Sequence, residues 1–166
     1  MRGDLVTLRS ALESDVPALV AIRATPEVRR RWRADDLEQD TLESIGEEDL
    51  HVLVIEDSGG RVVGAIQWAG EEEPDYRHAG IDVYLDPAVH DRGFGTDAVR
   101  TLARHLFDVE GHHRLVIDPA ADNHAAIRCY EKVGFRRVGV MRQYERGADG
   151  TFHDGLLMDL LASDLR

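Results

Sequence analysis

Apolar residues along this chain recur with two different periods, which predict strands and helices in alternation. Short apolar runs and strict alternation predict strands, whereas apolar residues roughly every three or four positions predict helices. The predicted strands lie at about 5–9, 51–56, 61–68, 80–85, 114–118, 135–145 and 151–161. The predicted helices run from an N-cap at Ser14 to about 24, from Thr25 to 32, and over 36–45, 95–109 and 122 or 123 to 134.

Turn-forming residues separate these elements. Asp57-Ser58-Gly59-Gly60 between two apolar runs predicts a hairpin, and a second turn is expected at Ala148-Asp149-Gly150. The order is strand, helices, three strands, helix, strand, helix, two strands. It predicts one domain over 1–166 of the α/β (α+β) class, with helices on the faces of a mixed sheet.

Charge and cysteine content narrow the classes of partner. The formal net charge of −12 disfavours nucleic acid and favours cationic ligands, although acidity also serves solubility. No apolar run is long enough to span a bilayer, and the N-terminus lacks the layout of a signal peptide, so no membrane contact is expected. The single cysteine, Cys129, cannot form an internal disulfide, and a cytoplasmic location is expected.

The first motif that carries chemistry is His-Asp-Arg-Gly-Phe-Gly-Thr at 90–96, between a strand and the start of a helix. Free backbone N–H groups at a helix N-terminus bind anions. Gly93 and Gly95 let the backbone approach a ligand, and Arg92 adds a charged donor. A diphosphate is the expected ligand, and a plain turn that caps the helix is the alternative. The segment lacks the Lys-Ser/Thr pair of a nucleotide-hydrolase loop and the third glycine of a dinucleotide fingerprint.

A second motif follows at 118–135. Its fixed positions are Asn123, Ala126, Tyr130, Gly134 and Phe135. In this order after the first motif, these residues resemble the GNAT superfamily of N-acetyltransferases, and the resemblance is dense from 80 to about 161. His90 stands where that family usually has Arg or Gln, and Asp91 replaces a common glycine. The resemblance implies a mostly antiparallel central sheet of about seven strands with splayed central parallel strands.

Two branches of the superfamily compete for the identity of the acceptor. Asp82 and Asp118, in the two central strands, together with 126–132, resemble the aminoglycoside 6'-N-acetyltransferases. The stretch 150–158 instead resembles the acetyltransferases of ribosomal-protein N-termini. The first branch is favoured because its matches fall nearer the expected acceptor pocket. The resemblance also hints at a homodimer.

The resemblance implies acetyl-CoA as co-substrate and three catalytic residues. An acceptor amine is mostly protonated at neutral pH and must lose a proton before it attacks a thioester. Asp118, and after it Asp82, would hold the ammonium and accept that proton, and Tyr130 would protonate the departing thiolate. The acetyl-CoA site is expected to comprise Val83, Tyr84, Leu85, His90, Arg92, Gly93, Phe94, Gly95, Thr96, Asn123, Ala126 and Tyr130.

Each of these assignments has a structural alternative. Asp118 is otherwise a turn residue, Asp82 a strand residue paired with an arginine, and Tyr130 a core tyrosine. Asn123 is expected to cap its helix rather than contact the cofactor. Cys129 is expected to be a small buried hydrophobe, and the histidines show no metal-ligand spacing, so no metal is expected.

The sequence therefore predicts an acetyl-CoA-dependent N-acetyltransferase that acts on a small cationic amine of the aminoglycoside type. N-terminal acetylation of a protein such as a ribosomal protein is the second hypothesis. A CoA-binding module without catalysis is the third. Trp68 is expected in the core, Trp32 either in the core or stacked on a sugar, and the glutamates at 71–73 in a solvated loop.

Overall fold

The computed structural model describes residues 1–147 and 149–166 and contains one seven-stranded sheet of order β1-β2-β3-β4-β5-β7-β6. The strands are β1 (Thr7–Ser10), β2 (His51–Glu56), β3 (Val62–Glu71), β4 (His78–Leu85), β5 (Arg114–Ile117), β6 (Arg136–Arg146) and β7 (Phe152–Leu161). The helices are α1 (Val16–Arg23), α2 (Pro26–Arg29), α3 (Leu37–Gly46), α4 (Phe94–Asp108) and α5 (His124–Val133). The predicted fold class, a mixed and mostly antiparallel sheet with helices on both faces, is confirmed.

The ends of several elements differ from the prediction. Strands β3 and β4 both reach into the stretch expected to be a polar loop, because their pairing continues to Glu71 opposite His78. Strand β1 begins two residues later than expected, and helix α2 is a single turn that ends at Arg29 rather than at 32. The predicted turn at 148–150 includes Ala148, which lies outside the described residues.

The prediction that Ser14 caps the first helix is wrong. Ser14 is exposed within a short 3-10 turn, and Asp15 occupies the N-cap position of α1. The Asp15 carboxylate accepts the Leu12 N–H at 2.9 Å and pairs with the Arg9 guanidinium at 2.7 and 2.8 Å. The Arg9 contact lowers the pKa of Asp15. This ion pair ties the end of β1 to the start of α1.

Two apolar clusters cover opposite faces of the sheet. One packs α4 and α5 against the sheet and includes the fully buried Leu102 and Leu115, and the other packs α1 and α2 against it. Because successive strand residues point to opposite faces, Val54 joins the second cluster while Leu53 and Ile55 join the first. Within the part of the chain that is described, no helix is long and apolar enough to cross a bilayer.

The two parallel strands in the middle of the sheet are paired over a very short distance. Strands β4 and β5 pair only at Ala79 with Leu115 and at Gly80 with Val116. Beyond these pairs the strands separate, while β4 stays paired to β3 up to Leu85. The side of β4 that faces β5 therefore has free backbone groups toward its carboxyl end, and a cleft opens between the two strands. This is the splayed arrangement that the family resemblance implies.

Candidate active site

Two cavities meet in the cleft between the splayed strands. The first, the α4 cavity, has a volume of about 350 Å³ and lies against Leu85, Gly93 and Thr96. The second, the carboxylate cavity, has a volume of about 450 Å³ and is lined by Asp82, Asp118 and residues of β6. Five residues line both cavities: Arg31, Trp32, Val83, Asn123 and Tyr130. A ligand in one cavity can therefore reach a ligand in the other.

The start of α4 presents free backbone donors to the α4 cavity. Gly93 is the N-cap and has a φ of 86°, and Asp91 in the preceding loop has a φ of 59°. Glycine adopts this left-handed conformation without strain, and aspartate tolerates it better than most residues. The first N–H that bonds back into the helix is that of Asp97, 3.0 Å from the Gly93 carbonyl. Over the described ranges, the N–H groups of residues 94–96 have no protein acceptor, so they can bind an anion.

All but one of the residues predicted to bind acetyl-CoA line the α4 cavity. The exception is Arg92, whose guanidinium carbon lies 5.4 Å from the centroid of the Phe94 ring. The Arg92 guanidinium stacks on that ring and does not form part of the cavity wall. His90 does line the cavity, and its Nε2 lies 3.3 Å from the Leu85 carbonyl oxygen. The positive charge of the cavity comes instead from Arg128 and Lys132, which the sequence interpretation missed.

Gly95 has a packing role as well as a place in the cavity wall. A Cβ at this position would lie 3.2 Å from Leu85 Cδ1 and 3.4 Å from Cys129 Sγ, which is tighter than ordinary contact. The missing side chain lets the first turn of α4 sit close to both β4 and α5. Cys129 is half-buried at this junction, its Sγ lies 3.3 Å from Thr96 Oγ1, and burial raises the pKa of its thiol. A protonated thiol in this setting is a packing group, as predicted, rather than a nucleophile.

A buried carboxylate anchors the N-terminal segment to the first turn of α4. Asp97 is 4% exposed, and its carboxylate accepts the N–H groups of Asp4, Leu5 and Val6 at 3.2, 2.8 and 3.1 Å. Gly3 packs so closely that a Cβ there would lie 2.4 Å from an Asp97 oxygen. The segment before β1 is thus held against the helix turn that borders the α4 cavity.

The carboxylate cavity contains two acidic side chains without cationic partners. Asp82 and Asp118 form no ion pair with any described residue. The expected alternative for Asp82, a pairing with arginine, is not found. Enclosure by the protein raises the pKa of Asp82, and the neighbouring charge of Asp118 raises it further. Although the Asp82 residue is solvent-exposed, it stands in a concave site where protein surrounds its carboxylate.

Three arginines also line this cavity, and each is neutralised by a carboxylate of the same chain. Arg23 pairs with Asp40 at 2.7 Å and Arg31 with Asp122 at 2.7 Å. Arg33 pairs with Glu145 at 3.5 Å. The arginines are thus matched in number by their partners, and the charge left over is that of Asp82 and Asp118. The cavity is therefore suited to a cation.

Tyr130 stands at the junction of the two cavities. It is 7% exposed and packs against Phe135, with ring centroids 6.1 Å apart. Burial, with the nearby Cys129, Asp82 and Asp118, raises the pKa of its phenol. The two interpretations of this residue are compatible, because the ring is part of the core while the residue borders both cavities. At neutral pH the hydroxyl carries its proton and can act as a donor.

The remaining predicted residues have separate places. Asn123 caps α5 by accepting the Ala126 N–H at 3.3 Å, as predicted, and it lines both cavities as well. Trp68 lies in the core, whereas Trp32 lines both cavities and meets Tyr84 edge-on at 4.7 Å. The glutamates at 71–73 are exposed and line neither cavity.

A sequence profile of the acetyltransferase (GNAT) domain matches residues 6–136. The chain belongs to the GNAT acetyltransferase family. Aminoglycoside N(6')-acetyltransferase type 1 from Klebsiella pneumoniae is 30% identical over 159 residues, which cover 84% of this chain and 78% of that protein. N-alpha-acetyltransferase RimI from Mycobacterium tuberculosis is 38% identical over 96 residues, or 55% of this chain and 58% of that protein.

Solved structures agree with this membership. Aminoglycoside acetyltransferase AAC(6')-Ib in complex with coenzyme A superposes with a TM-score of 0.78 at 28% identity, covering 96% of both chains. Spermidine N-acetyltransferase from Vibrio cholerae, in complex with CoA and spermine, has the same fold, with a TM-score of 0.82 at 19% identity and 96% of both chains covered.

Acetyl-CoA is the co-substrate of this GNAT chain, and the α4 cavity fits it. The free N–H groups at the start of α4 and the basic side chains of Arg128 and Lys132 suit its diphosphate. The side of β4 that is not paired to β5 has backbone groups that would suit a pantetheine arm, as the groups of a sheet edge suit a peptide. Among the described residues, no group of three or more His, Cys, Asp or Glu side chains could hold a metal ion.

Proposed function

We propose that this enzyme transfers the acetyl group of acetyl-CoA to a primary amine of a small polycationic acceptor of the aminoglycoside type. The observation that carries the proposal is the pair of uncompensated carboxylates, Asp82 and Asp118, in a cavity that meets the α4 cavity at Tyr130. The relative named aminoglycoside N(6')-acetyltransferase, 30% identical over most of this chain, supports the acceptor class.

The carboxylates prepare the acceptor. An ammonium ion that enters the cavity between Asp82 and Asp118 is attracted by both charges, and Trp32 offers an apolar face to a sugar ring. Asp118 then removes a proton from the nitrogen, directly or through a water molecule. Asp82 continues to hold the substrate at this stage. Because the pKa of Asp82 is raised, its carboxylate can also accept a proton within the site.

The backbone of β4 and the Tyr130 hydroxyl act on the thioester. Acetyl-CoA supplies an activated acetyl group to the nucleophilic nitrogen. Within residues 83–85, the backbone N–H groups on the side away from β3 are the proposed donors to the thioester oxygen, where negative charge develops during attack. Tyr130, protonated at neutral pH, donates its phenolic proton to the departing sulfur. Of the residues named here, Val83 and Tyr130 line both the α4 cavity and the carboxylate cavity.

Acetylation of a protein N-terminus is the second candidate. One observation favours it: the similarity to RimI reaches 38% identity, although over 55% of this chain only. The same two carboxylates would receive the α-amino group of a peptide. A peptide would also have to pass the rim of the cavity, where Arg31 and Arg33 form exposed ion pairs.

The deciding experiment measures thiol release from acetyl-CoA with three acceptor panels, namely aminoglycosides, linear polyamines and N-terminal peptides. We expect the highest kcat/KM with an aminoglycoside. Asp118→Asn should lower kcat by about 100-fold, within the range of general-base catalysis, while acetyl-CoA affinity measured by calorimetry stays within about twofold. Tyr130→Phe should lower kcat and leave acceptor KM nearly unchanged.

The exposed Asp108→Asn, at the far end of α4, is the matched control and should behave as wild type. Full turnover by Asp118→Asn would remove the proposed base. If a peptide has a higher kcat/KM than every aminoglycoside, the proposed acceptor class is wrong and a protein N-terminus takes its place. Tight acetyl-CoA binding without thiol release on any panel would leave a CoA-binding module without catalysis.

A further inference from the structure

Strand β6 departs from regular pairing beside the carboxylate cavity. Its register against β7 shifts between Met141 and Glu145, and within this bulge Gln143 has a φ of 52°. A glutamine seldom adopts a positive φ, so other contacts must hold it there. The bulge redirects Tyr144, which follows Gln143, and Tyr144 is one of the residues that line the cavity.

Asp154 on β7 supplies that contact. Its Oδ1 accepts the Gln143 N–H at 2.8 Å, so a carboxylate fixes the residue with the unusual backbone. The backbone carbonyl of Asp154 accepts the Ala121 N–H at 2.8 Å, three residues after Asp118. One residue of β7 therefore bonds both to the bulge and to the segment that follows Asp118.

The next residue, Gly155, leaves room for the tyrosine ring. A Cβ at this position would lie 2.8 Å from Tyr144 Cδ1 and 3.1 Å from Met141 Cε, so only glycine allows the ring to lie against β7. Interaction with the Asp118 carboxylate, and then burial, raises the pKa of Tyr144 to about 12. The hydroxyl thus carries its proton at neutral pH, and Tyr144 lines the same cavity as Asp118.

We propose that Tyr144 is a further residue of the transfer site, where its hydroxyl holds the Asp118 carboxylate in the orientation that receives the substrate proton. Asp154 is a positioning residue that acts through Tyr144 by fixing the bulge at Gln143. This inference rests on the proposed function, because it assumes that Asp118 is the base. It involves no covalent step. The hydroxyl donates a hydrogen bond to the ionised carboxylate and keeps its own proton.

The test uses four variants and one control variant with acetyl-CoA and the best acceptor. Tyr144→Phe keeps the ring over Gly155 and removes only the hydroxyl. We expect kcat to fall about 10-fold, which is the size expected for one hydrogen bond to a charged group, with the KM for acetyl-CoA unchanged. The acidic limb of the kcat/KM profile should move to higher pH, because the ionised carboxylate loses a donor. Tyr76→Phe, an exposed tyrosine that lines neither cavity, is the matched control.

Asp154→Ala should reproduce most of this loss, whereas Asp154→Asn keeps an acceptor oxygen for the Gln143 N–H and should restore kcat to within about twofold of wild type. The double variant Tyr144→Phe/Asp154→Ala should be no slower than Tyr144→Phe alone, because both changes break the same chain of contacts. Circular dichroism identifies a variant that fails to fold, and the conservative Asp154→Asn keeps the test valid in that event.

Two results would overturn the inference. The first is wild-type kcat and pH profile in Tyr144→Phe. The second is an additive loss in the double variant, which would separate Asp154 from Tyr144. The proposed function fails independently: if Asp118→Asn is fully active, the base is wrong, whereas an inactive Asp118→Asn beside a normal Tyr144→Phe refutes only the role of Tyr144.

Discussion

The carboxylate of Asp97 gives the sharpest quantitative prediction, because it is buried and has only backbone partners. It accepts three N–H groups from residues 4–6, two on Oδ2 and one on Oδ1. Substitution by asparagine keeps the shape of the side chain and removes the charge. In its better orientation the amide oxygen serves the N–H groups of Leu5 and Val6, and its amide nitrogen then faces the N–H of Asp4.

The expected cost follows from these three bonds. A hydrogen bond to a charged group contributes about 1.5–3 kcal/mol, and a neutral one about half of that. At the lower end of these ranges, losing one bond and weakening two others decreases the free energy of unfolding by about 3 kcal/mol. For a chain of 166 residues this corresponds to a fall in Tm of about 6–12 °C.

Urea unfolding followed by circular dichroism measures the change in free energy, with Asp108→Asn in the same helix as the exposed control, expected within about 0.5 kcal/mol of wild type. Calorimetry with acetyl-CoA supplies a second reading. Because Leu5 packs against Gly93, release of the N-terminal segment should also weaken acetyl-CoA binding. A loss of stability below about 1 kcal/mol would show that the three bonds contribute little. Unchanged acetyl-CoA affinity would show that the hydrogen bonds of Asp97 to the N-terminal segment do not influence the α4 cavity.

Two further predictions concern charge. Asp82 has a raised pKa, so the folded chain holds that proton more tightly than the unfolded chain, and the resulting stabilisation is lost as the pH rises above the ordinary value of 3.8. Asp82→Asn should therefore be more stable than wild type at neutral pH and equal to it below pH 3.8. Urea unfolding across this pH range measures the difference, and a variant that is less stable at neutral pH would contradict the prediction. Replacing Arg128 and Lys132 together by alanine should raise the KM for acetyl-CoA about fivefold at low salt and by less at high salt, with kcat nearly unchanged. Arg104→Ala, on the exposed side of α4, is the control and should have no effect.

Much of the α4 cavity could be predicted because its parts are close in sequence. A strand, a glycine-containing loop and a helix start follow one another over 83–96, so the positions of their backbone groups follow from local rules. The direction in which a long side chain points does not follow from such local rules. Arg92 was expected to contact the ligand, and it stacks on Phe94 instead. Arg128 and Lys132 are spaced four residues apart on one face of α5, a signal that could have been used to find them.

The carboxylate cavity was predictable only where family motifs mark it. Asp82 and Asp118 follow from the resemblance, but Tyr144 depends on a bulge in one strand, an acceptor in another and a glycine beside it. Those three positions are brought together by the pairing of β6 with β7, and a bulge leaves no periodic trace in the sequence. The anchor at Asp97 is hidden for the same reason, since its partners lie more than 90 residues away.

The separation of β4 and β5 explains why two ordinary strand aspartates become a site. In a continuous parallel pair, Asp82 and the residue after β5 would lie at a closed sheet surface, and the backbone groups of 83–85 on the side away from β3 would be used in pairing with β5. Because pairing stops at Gly80 and Val116, the same backbone groups stay free for a ligand, and the two carboxylates face an open cleft without cationic partners. The uncompensated charge costs stability in the free enzyme, as the raised pKa of Asp82 indicates. Binding of an ammonium group would remove that cost, so the proposed cationic acceptor should bind more tightly than a neutral analogue of equal size.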